Sequence, residues 1–140
     1  MKKVISTPNA PAALGPYSQA IEVNGMVFLS GQLPIDPATG EFVPGGIKEQ
    51  TVQVFKNIEA VLKEANLTLD NIVKTTVLLA DIDSFADMNE VYASQFSSDF
   101  PARSSFAVKT LPKNADIEIE VVAVREGEEV EYIMQLLKTP

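Results

Sequence analysis

The order in which two kinds of hydrophobic pattern follow each other limits the fold of this chain more than any other feature. Short apolar runs or alternating apolar positions, which are typical of β-strands, occur at residues 3–6, 19–23, 26–30, 72–80, 105–108 and 117–124. Apolar residues at helical spacing occur at residues 47–66 and in a second segment that begins at Asp83 or Ser84. We therefore expect the element order β-β-β-α-β-α-β-β.

Both predicted helices are apolar on one side only, so they can cover only one face of a sheet. The stripe of the first helix is Thr51, Val54, Phe55, Ile58, Val61, Leu62 and Ala65. Asn24-Gly25, between the second and third strands, is typical of a tight hairpin turn. A chain of 140 residues is the size of one domain. We expect the α+β class, with a mixed six-stranded sheet and two helices on one face.

The other face of this sheet would expose apolar side chains, among them Val122 and Val124. Large exposed apolar patches usually mark an interface, and contact with further copies of the same chain is the simplest way to cover one. The pattern therefore predicts a homo-oligomer, with any cleft at the seam between subunits.

The composition excludes several classes of function, because the chain contains no Cys and no His. Thiol catalysis and His-dependent triads are ruled out, and the usual zinc and iron ligands are missing. The absence of Cys fits a reducing compartment. Residues 1–8 do not resemble a signal peptide and no apolar run approaches about 20 residues, so we expect a cytoplasmic protein with no membrane partner. The formal net charge of −8 opposes nucleic-acid binding.

Arg103 and the acidic strand at residues 117–124 are the first candidates for a functional site. Pro101 favours an extended backbone just before it, so Arg103 should lie where a loop becomes a strand. Side chains alternate along the later strand, so Glu118 and Glu120 share a face with two valines. This face has two interpretations, which the pattern leaves open: a structural ion pair with Arg103, or part of a site.

Three further residues carry specific expectations. Asn89 falls inside the apolar stripe of the second helix, so its amide should have assigned partners and should brace a loop rather than take part in chemistry. Gly31 ends the third strand, which indicates a bulge or a backbone that another group approaches closely. Asp83 or Ser84 can cap the second helix, and Asp87 completes a capping-box pattern if Ser84 is the cap.

The C-terminal segment, residues 126–140, is predicted to be an extension outside a single domain at residues 1–125. It begins with an acidic, Gly-containing link, and its later apolar residues have helical spacing. These residues are Val130, Ile133, Met134 and Leu137. We expect a short amphipathic helix, which either docks on its own oligomer or stays disordered.

Several motifs, in order along residues 4–124, together resemble one family. They include Gly15-Pro16-Tyr17-Ser18-Gln19-Ala20, Ser30-Gly31-Gln32, Pro101-Ala102-Arg103-Ser104, Leu111-Pro112-Lys113 and Ile117-Glu118-Ile119-Glu120. The chain resembles the RidA (YjgF) reactive-intermediate deaminases. This resemblance implies a chorismate-mutase-like subunit and a homotrimer with clefts at its subunit interfaces. It also implies hydrolysis of 2-imino or enamine acids released by pyridoxal-phosphate enzymes, with no cofactor and no metal.

The resemblance also implies roles for individual residues. Arg103 would hold the substrate carboxylate, and Glu118 would position or activate the attacking water. The substrate-binding residues would be Tyr17, Ser30, Gly31, Asn89, Arg103 and Ser105. Many members have Cys where this chain has Ser105. We expect water to be the nucleophile, so that Ser105 only shapes the pocket.

Two other functions remain open. A trimer of this fold can bind small molecules or act like a chaperone without useful turnover, since a family fixes a fold better than a function. An RNA-cleaving translation inhibitor is a further role attached to the family, and the acidic balance of the chain argues against it.

Overall fold

The computed structural model describes residues 1–97, 99–126 and 135–138. The strands are β1 (Lys3–Ile5), β2 (Ala20–Val23), β3 (Met26–Gln32), β4 (Ile72–Leu79), β5 (Ala102–Ala107) and β6 (Ile117–Val124). The helices are α1 (Ile47–Glu64) and α2 (Phe85–Ser94). The expected element order is therefore confirmed. In the sheet the strands lie in the order β1-β2-β3-β6-β4-β5, and only β4 and β5 pair in parallel among the described strands.

The hairpin between β2 and β3 forms at the predicted turn. Asn24 and Gly25 have φ angles of 51° and 77°, and a two-residue turn of this kind needs positive φ at both positions. Further along β3, the register with β6 shifts between Leu29 and Gln32, which confirms the bulge predicted at Gly31.

The core lies between the sheet and the two helices. Every residue of the predicted stripe of α1 is buried, as are the four apolar residues of β6 on the face toward the helices: Ile117, Ile119, Val121 and Ala123. The hydrophobic pattern did not identify Asn57, which is also buried in α1. Its side-chain amide donates to the carbonyls of Leu33 and Ile35 at 3.0 and 2.9 Å, so α1 holds the segment that follows β3.

The predicted capping box of α2 is wrong. Ser84 makes no side-chain cap hydrogen bond, because a 3-10 turn at Ile82–Ser84 runs directly into the helix and gives Ser84 a helical backbone. The capping side chain lies upstream, where Asp81 accepts a hydrogen bond of 2.9 Å from the N–H of Asp83.

The face of the sheet opposite the helices carries an apolar patch, as predicted. Met26 pairs with Val124 and Phe28 pairs with Val122 across β3 and β6, and Phe28 is 42% exposed. We call these four residues the open-face patch. No helix among the described residues has the length and apolar character needed to cross a membrane.

Arg125 directly follows β6, the last strand of the described sheet. Its guanidinium donates to both carboxylate oxygens of Glu22 at 2.9 and 3.1 Å and to the carbonyl of Ala65 at 2.6 Å, at the C-terminal end of α1. Of the predicted C-terminal helix, residues 130, 133 and 134 lie outside the described residues, and residues 135–138 are helical and exposed. The amphipathic extension stays a prediction.

Candidate active site

A cavity of about 700 Å³ opens on the face of the sheet away from the helices. It is lined by four of the residues that the resemblance assigned to substrate binding or catalysis: Tyr17, Ser30, Gly31 and Glu118. Glu120 lines it as well. Pro112 and Lys113, from the Leu111-Pro112-Lys113 motif, also line it. The sequence analysis missed the apolar lining residues Leu14, Leu33 and Ile35, which lie outside the helices and strands, where periodicity cannot identify them.

The loop that carries Tyr17 is held in place by Gln19, which is only 5% exposed. The Gln19 amide oxygen accepts the N–H of Thr7 at 2.6 Å, and its nitrogen donates to the carbonyls of Thr7 and Pro11 at 3.1 and 2.8 Å. Tyr17 is 54% exposed, so its ring is available at the cavity wall. Gln19 follows a proline-rich loop in the sequence, which could have identified it as the residue that holds the loop. A search for apolar positions does not detect it, because its side chain is polar.

Gly31 leaves room for the side chain of Glu118 in its present position. A Cβ atom at position 31 would lie 2.7 Å from Cδ and 2.9 Å from Cγ of Glu118, which is closer than real Cβ atoms approach other atoms. The close approach predicted at Gly31 is therefore made by the Glu118 carboxyl group. Beside it, the hydroxyl of Ser30 donates to the carbonyl of Ser18 at 2.6 Å and ties β3 to the Tyr17 loop.

The two acids of β6 have different surroundings. Glu118 is half-buried, and this burial raises its pKa; the negative charge of Glu120 raises the pKa further. Glu120 itself is exposed. A carboxylate with a raised pKa is a better proton acceptor near neutral pH, so the surroundings favour Glu118 over Glu120 as a general base.

Arg103 lies on the other face of the sheet. It pairs with Thr75 of β4, which is fully buried toward the helices. Its Nη1 donates to Oδ1 of Asn89 at 2.7 Å, and its Cζ lies 4.6 Å from the ring centroid of Tyr92 and 5.4 Å from that of Phe85. Among the described residues it forms no ion pair, so the interpretation of a structural pair with Glu118 or Glu120 is wrong within one chain.

Asn89 and Ser105 accompany Arg103. Asn89 is half-buried and has the partner that its position in the stripe required, but it braces the Arg103 side chain rather than a loop. Ser105 pairs with the buried Val77, so it faces the same side as Arg103. Its buried hydroxyl oxygen has no hydrogen-bond partner among the described residues, a situation that costs roughly 1–3 kcal/mol.

The predicted site residues thus form two groups on opposite faces of the sheet. Tyr17, Ser30, Gly31 and Glu118 form the Glu118 group, and Asn89, Arg103 and Ser105 form the Arg103 group. A single chain does not bring the two groups together. Within the residues that the structure covers, no three Asp or Glu side chains cluster in a way that would hold a metal ion.

Comparison with known proteins identifies the family. A family model described as Endoribonuclease L-PSP matches residues 7–125, which is most of the chain. The chain belongs to the RidA (YjgF) family. A bovine (Bos taurus) relative named 2-iminobutanoate/2-iminopropanoate deaminase is 50% identical over 125 residues, which cover 89% of this chain and 91% of the relative. The human (Homo sapiens) relative of the same name is 49% identical over the same shares.

Solved RidA-family structures confirm the fold. A conserved Rid-family protein of Yersinia pestis, YyfA, has a TM-score of 0.86 at 52% identity, covering 89% of this chain and 99% of that one. Escherichia coli TdcF with bound serine has a TM-score of 0.85 at 41% identity over the same shares. The family and the mixed six-stranded α+β fold expected from the sequence are both confirmed.

Proposed function

We propose that this protein hydrolyses reactive 2-imino acids and their enamine tautomers, such as 2-iminobutanoate, to 2-keto acids and ammonia in the cytoplasm. The observation that carries the proposal is the Glu118 carboxyl group, which has a raised pKa and lies against the backbone of Gly31 in a cavity large enough for a small acid. The bovine and human relatives named as deaminases of such imines support the same reaction.

Arg103 supplies the contact to the substrate carboxylate. A guanidinium has five N–H donors, and the described residues use one of them, in the bond to Asn89. The remaining donors can grip a carboxylate with two parallel hydrogen bonds. Because the guanidinium already rests against two aromatic rings, it loses little freedom when it binds.

Glu118 moves the protons of the reaction. The carboxylate takes a proton from water as the water oxygen bonds to the iminium carbon, and a neutral carbinolamine forms. Protonated Glu118 then returns the proton to the amine, the hydroxyl loses its own proton to Glu118, and the C–N bond breaks to give the keto acid and ammonia. Glu118 passes its proton to the departing ammonia, which leaves as ammonium, and the carboxylate is restored. The iminium carbon is already electrophilic, so the reaction needs an oriented water and a modest base rather than a cofactor. Ser105 is not a nucleophile here, since no His is present to activate its hydroxyl.

The two groups of site residues support an active site shared between subunits. The Glu118 group of one chain requires Arg103 of the partner subunit, because the two groups of one chain lie on opposite faces of its sheet. Contact between two different surfaces is head-to-tail, and repeated head-to-tail contact gives a ring where the rotation closes and an open filament where it does not. We propose the smallest such ring, a homotrimer with three clefts, which also covers the open-face patch.

We expect the purified protein to be a trimer, because in one chain Met26 and Phe28 of the open-face patch are exposed and Val122 and Val124 are only half-buried. Size exclusion coupled to light scattering measures the assembly directly. The predicted mass is three times the 15.2 kDa of one chain. A monomer at micromolar concentration would contradict both the covered patch and the shared cleft.

The activity is tested with 2-iminobutanoate generated in the assay from threonine by a pyridoxal-phosphate dehydratase. Added protein should accelerate the formation of 2-oxobutanoate from the imine, and the Arg103→Ala variant is the matched control. A trimer that binds 2-oxobutanoate without accelerating hydrolysis would favour a binding or chaperone-like protein. Salt-sensitive RNA binding would instead favour the translation-inhibitor role.

A further inference from the structure

The resting orientation of Arg103 is set by one face of α2. Phe85, Asn89 and Tyr92 follow each other at helical spacing, so their side chains lie on the same face of the helix. The Tyr92 ring is the nearer of the two rings to the guanidinium carbon. The guanidinium therefore lies between the Tyr92 ring, which it contacts, and the Asn89 side chain, to which it donates a hydrogen bond.

Tyr92 is itself fixed by the protein core. It is 3% exposed, and its ring centroid lies 5.7 Å from that of Phe55 and 5.1 Å from that of Phe96. The hydroxyl oxygens of Tyr92 and Thr75 lie 2.7 Å apart in the interior. Burial raises the pKa of Tyr92, so the hydroxyl stays protonated near neutral pH and keeps this hydrogen bond.

Thr75 connects the ring to the strand beside Arg103. It is fully buried in β4 and is the direct partner of Arg103 in the parallel β4–β5 ladder. The Thr75–Tyr92 hydrogen bond therefore connects β4, the strand beside Arg103, to the Tyr92 ring. That same ring contacts the Arg103 guanidinium. Thr75 is 0% and Tyr92 3% exposed, so neither offers its hydroxyl to a ligand at the surface, and both act on a ligand through Arg103.

We propose that the Thr75–Tyr92 hydrogen bond fixes the plane of the Arg103 guanidinium for two-point binding of a planar carboxylate, which makes Thr75 and Tyr92 positioning residues. The inference rests on the proposed role of Arg103 as the carboxylate-binding residue. Two parallel hydrogen bonds require the guanidinium and the carboxylate to be nearly coplanar. A ring that is free to tilt lets the guanidinium tilt with it, and the second hydrogen bond lengthens.

A double-mutant cycle separates positioning from stability. Tyr92→Phe and Thr75→Val each leave one buried hydroxyl without a partner, so each should lower the melting temperature. The double variant removes both hydroxyls and should regain most of the lost melting temperature, because replacing both partners by apolar groups of similar shape is nearly neutral. Carboxylate binding should not recover, because the tie between ring and strand is still absent.

The ligand for this test is 2-oxobutanoate, measured by titration calorimetry, with KM and kcat for 2-iminobutanoate determined in parallel. We expect the Kd of 2-oxobutanoate to rise about fivefold in both single variants and in the double variant, the size expected when one neutral hydrogen bond stops contributing. KM should rise to a similar extent, and kcat should change less than about twofold. Binding of 2-oxobutanoate does not depend on turnover, so a failure of the proposed deaminase activity would leave this readout intact.

The matched control is Thr51→Val. Thr51 is also fully buried, and its hydroxyl donates to the carbonyl of Ile47 at 2.7 Å within α1, so this hydrogen bond involves neither β4 nor Arg103. This variant should change the melting temperature without changing the Kd of 2-oxobutanoate. The positioning role is wrong if the Kd follows the melting temperature and returns to the wild-type value in the double variant, if the single variants bind normally, or if the wild-type protein does not bind 2-oxobutanoate.

Discussion

Replacing Arg103 with alanine is expected to lower kcat/KM for 2-iminobutanoate by at least about tenfold while the trimer stays folded. Each hydrogen bond between charged groups contributes roughly 1.5–3 kcal/mol, and the variant loses two of them to the substrate carboxylate. The remaining chain keeps its core, because Arg103 is only half-buried and its hydrogen bond to Asn89 is its one polar contact among the described residues. Steady-state kinetics and a thermal melt on the same preparation measure both quantities.

Arg103→Lys is the control for this experiment. Lysine keeps the charge but cannot grip a carboxylate with two parallel bonds, so it should restore only part of the lost activity. A different result would favour a structural role: if Arg103→Ala mainly lowered the melting temperature and left the activity per folded trimer intact, Arg103 would not be a substrate-binding residue.

Replacing Glu118 with glutamine is expected to lower kcat by about 100-fold or more, since a positioned general base contributes roughly 10²–10⁴ to the rate. Glutamine has the same size but cannot accept the proton of the attacking water. Glu120→Gln is the matched control, because Glu120 lines the same cavity from the same strand but is exposed. A larger loss from Glu120→Gln would show that the other acid serves the site.

The pH dependence of activity in the wild-type and Glu118→Gln proteins provides an independent check. The pKa of Glu118 is raised above its usual value of 4.5 by burial and by Glu120, so activity should rise with pH through this raised pKa as the carboxylate forms. The Glu118→Gln variant lacks this carboxyl group, so its remaining activity should not show the same rise with pH. A Glu118→Gln profile with the same rise as the wild type would contradict the proposed role of Glu118.

Local sequence patterns were sufficient to predict much of the fold. Alternation along β6 assigned Glu118 and Glu120 to one face and the buried apolar residues to the other, because strand side chains alternate whatever the neighbouring strands are. The hairpin followed from the positive φ angles that Asn24-Gly25 adopts readily. Asn89 was identified as a supporting residue because an amide within an apolar stripe must have a partner.

Local patterns could not predict that Arg103 and Glu118 lie on opposite faces of the sheet. It depends on β6 lying between β3 and β4 and on the parallel register of Arg103 with Thr75, and both are pairings between segments far apart in the chain. Periodicity describes each strand alone, so it left open an ion pair that the strand order excludes. The braces made by Gln19 and Asn57 were missed for another reason: both are buried polar residues, and hydrophobic periodicity counts only apolar ones.

Mixed trimers of the two variants test the shared active site most directly. Equal amounts of Arg103→Ala and Glu118→Gln chains are unfolded together, refolded together and assayed with 2-iminobutanoate. Each cleft needs Glu118 from one chain and Arg103 of the partner subunit. The Arg103→Ala chain still carries Glu118, and the Glu118→Gln chain still carries Arg103. A cleft is therefore complete when the former supplies Glu118 and the latter supplies Arg103. Random assembly makes about one cleft in four complete, and the mixture should recover about a quarter of the wild-type activity. A mixture no more active than either variant alone would contradict the shared site.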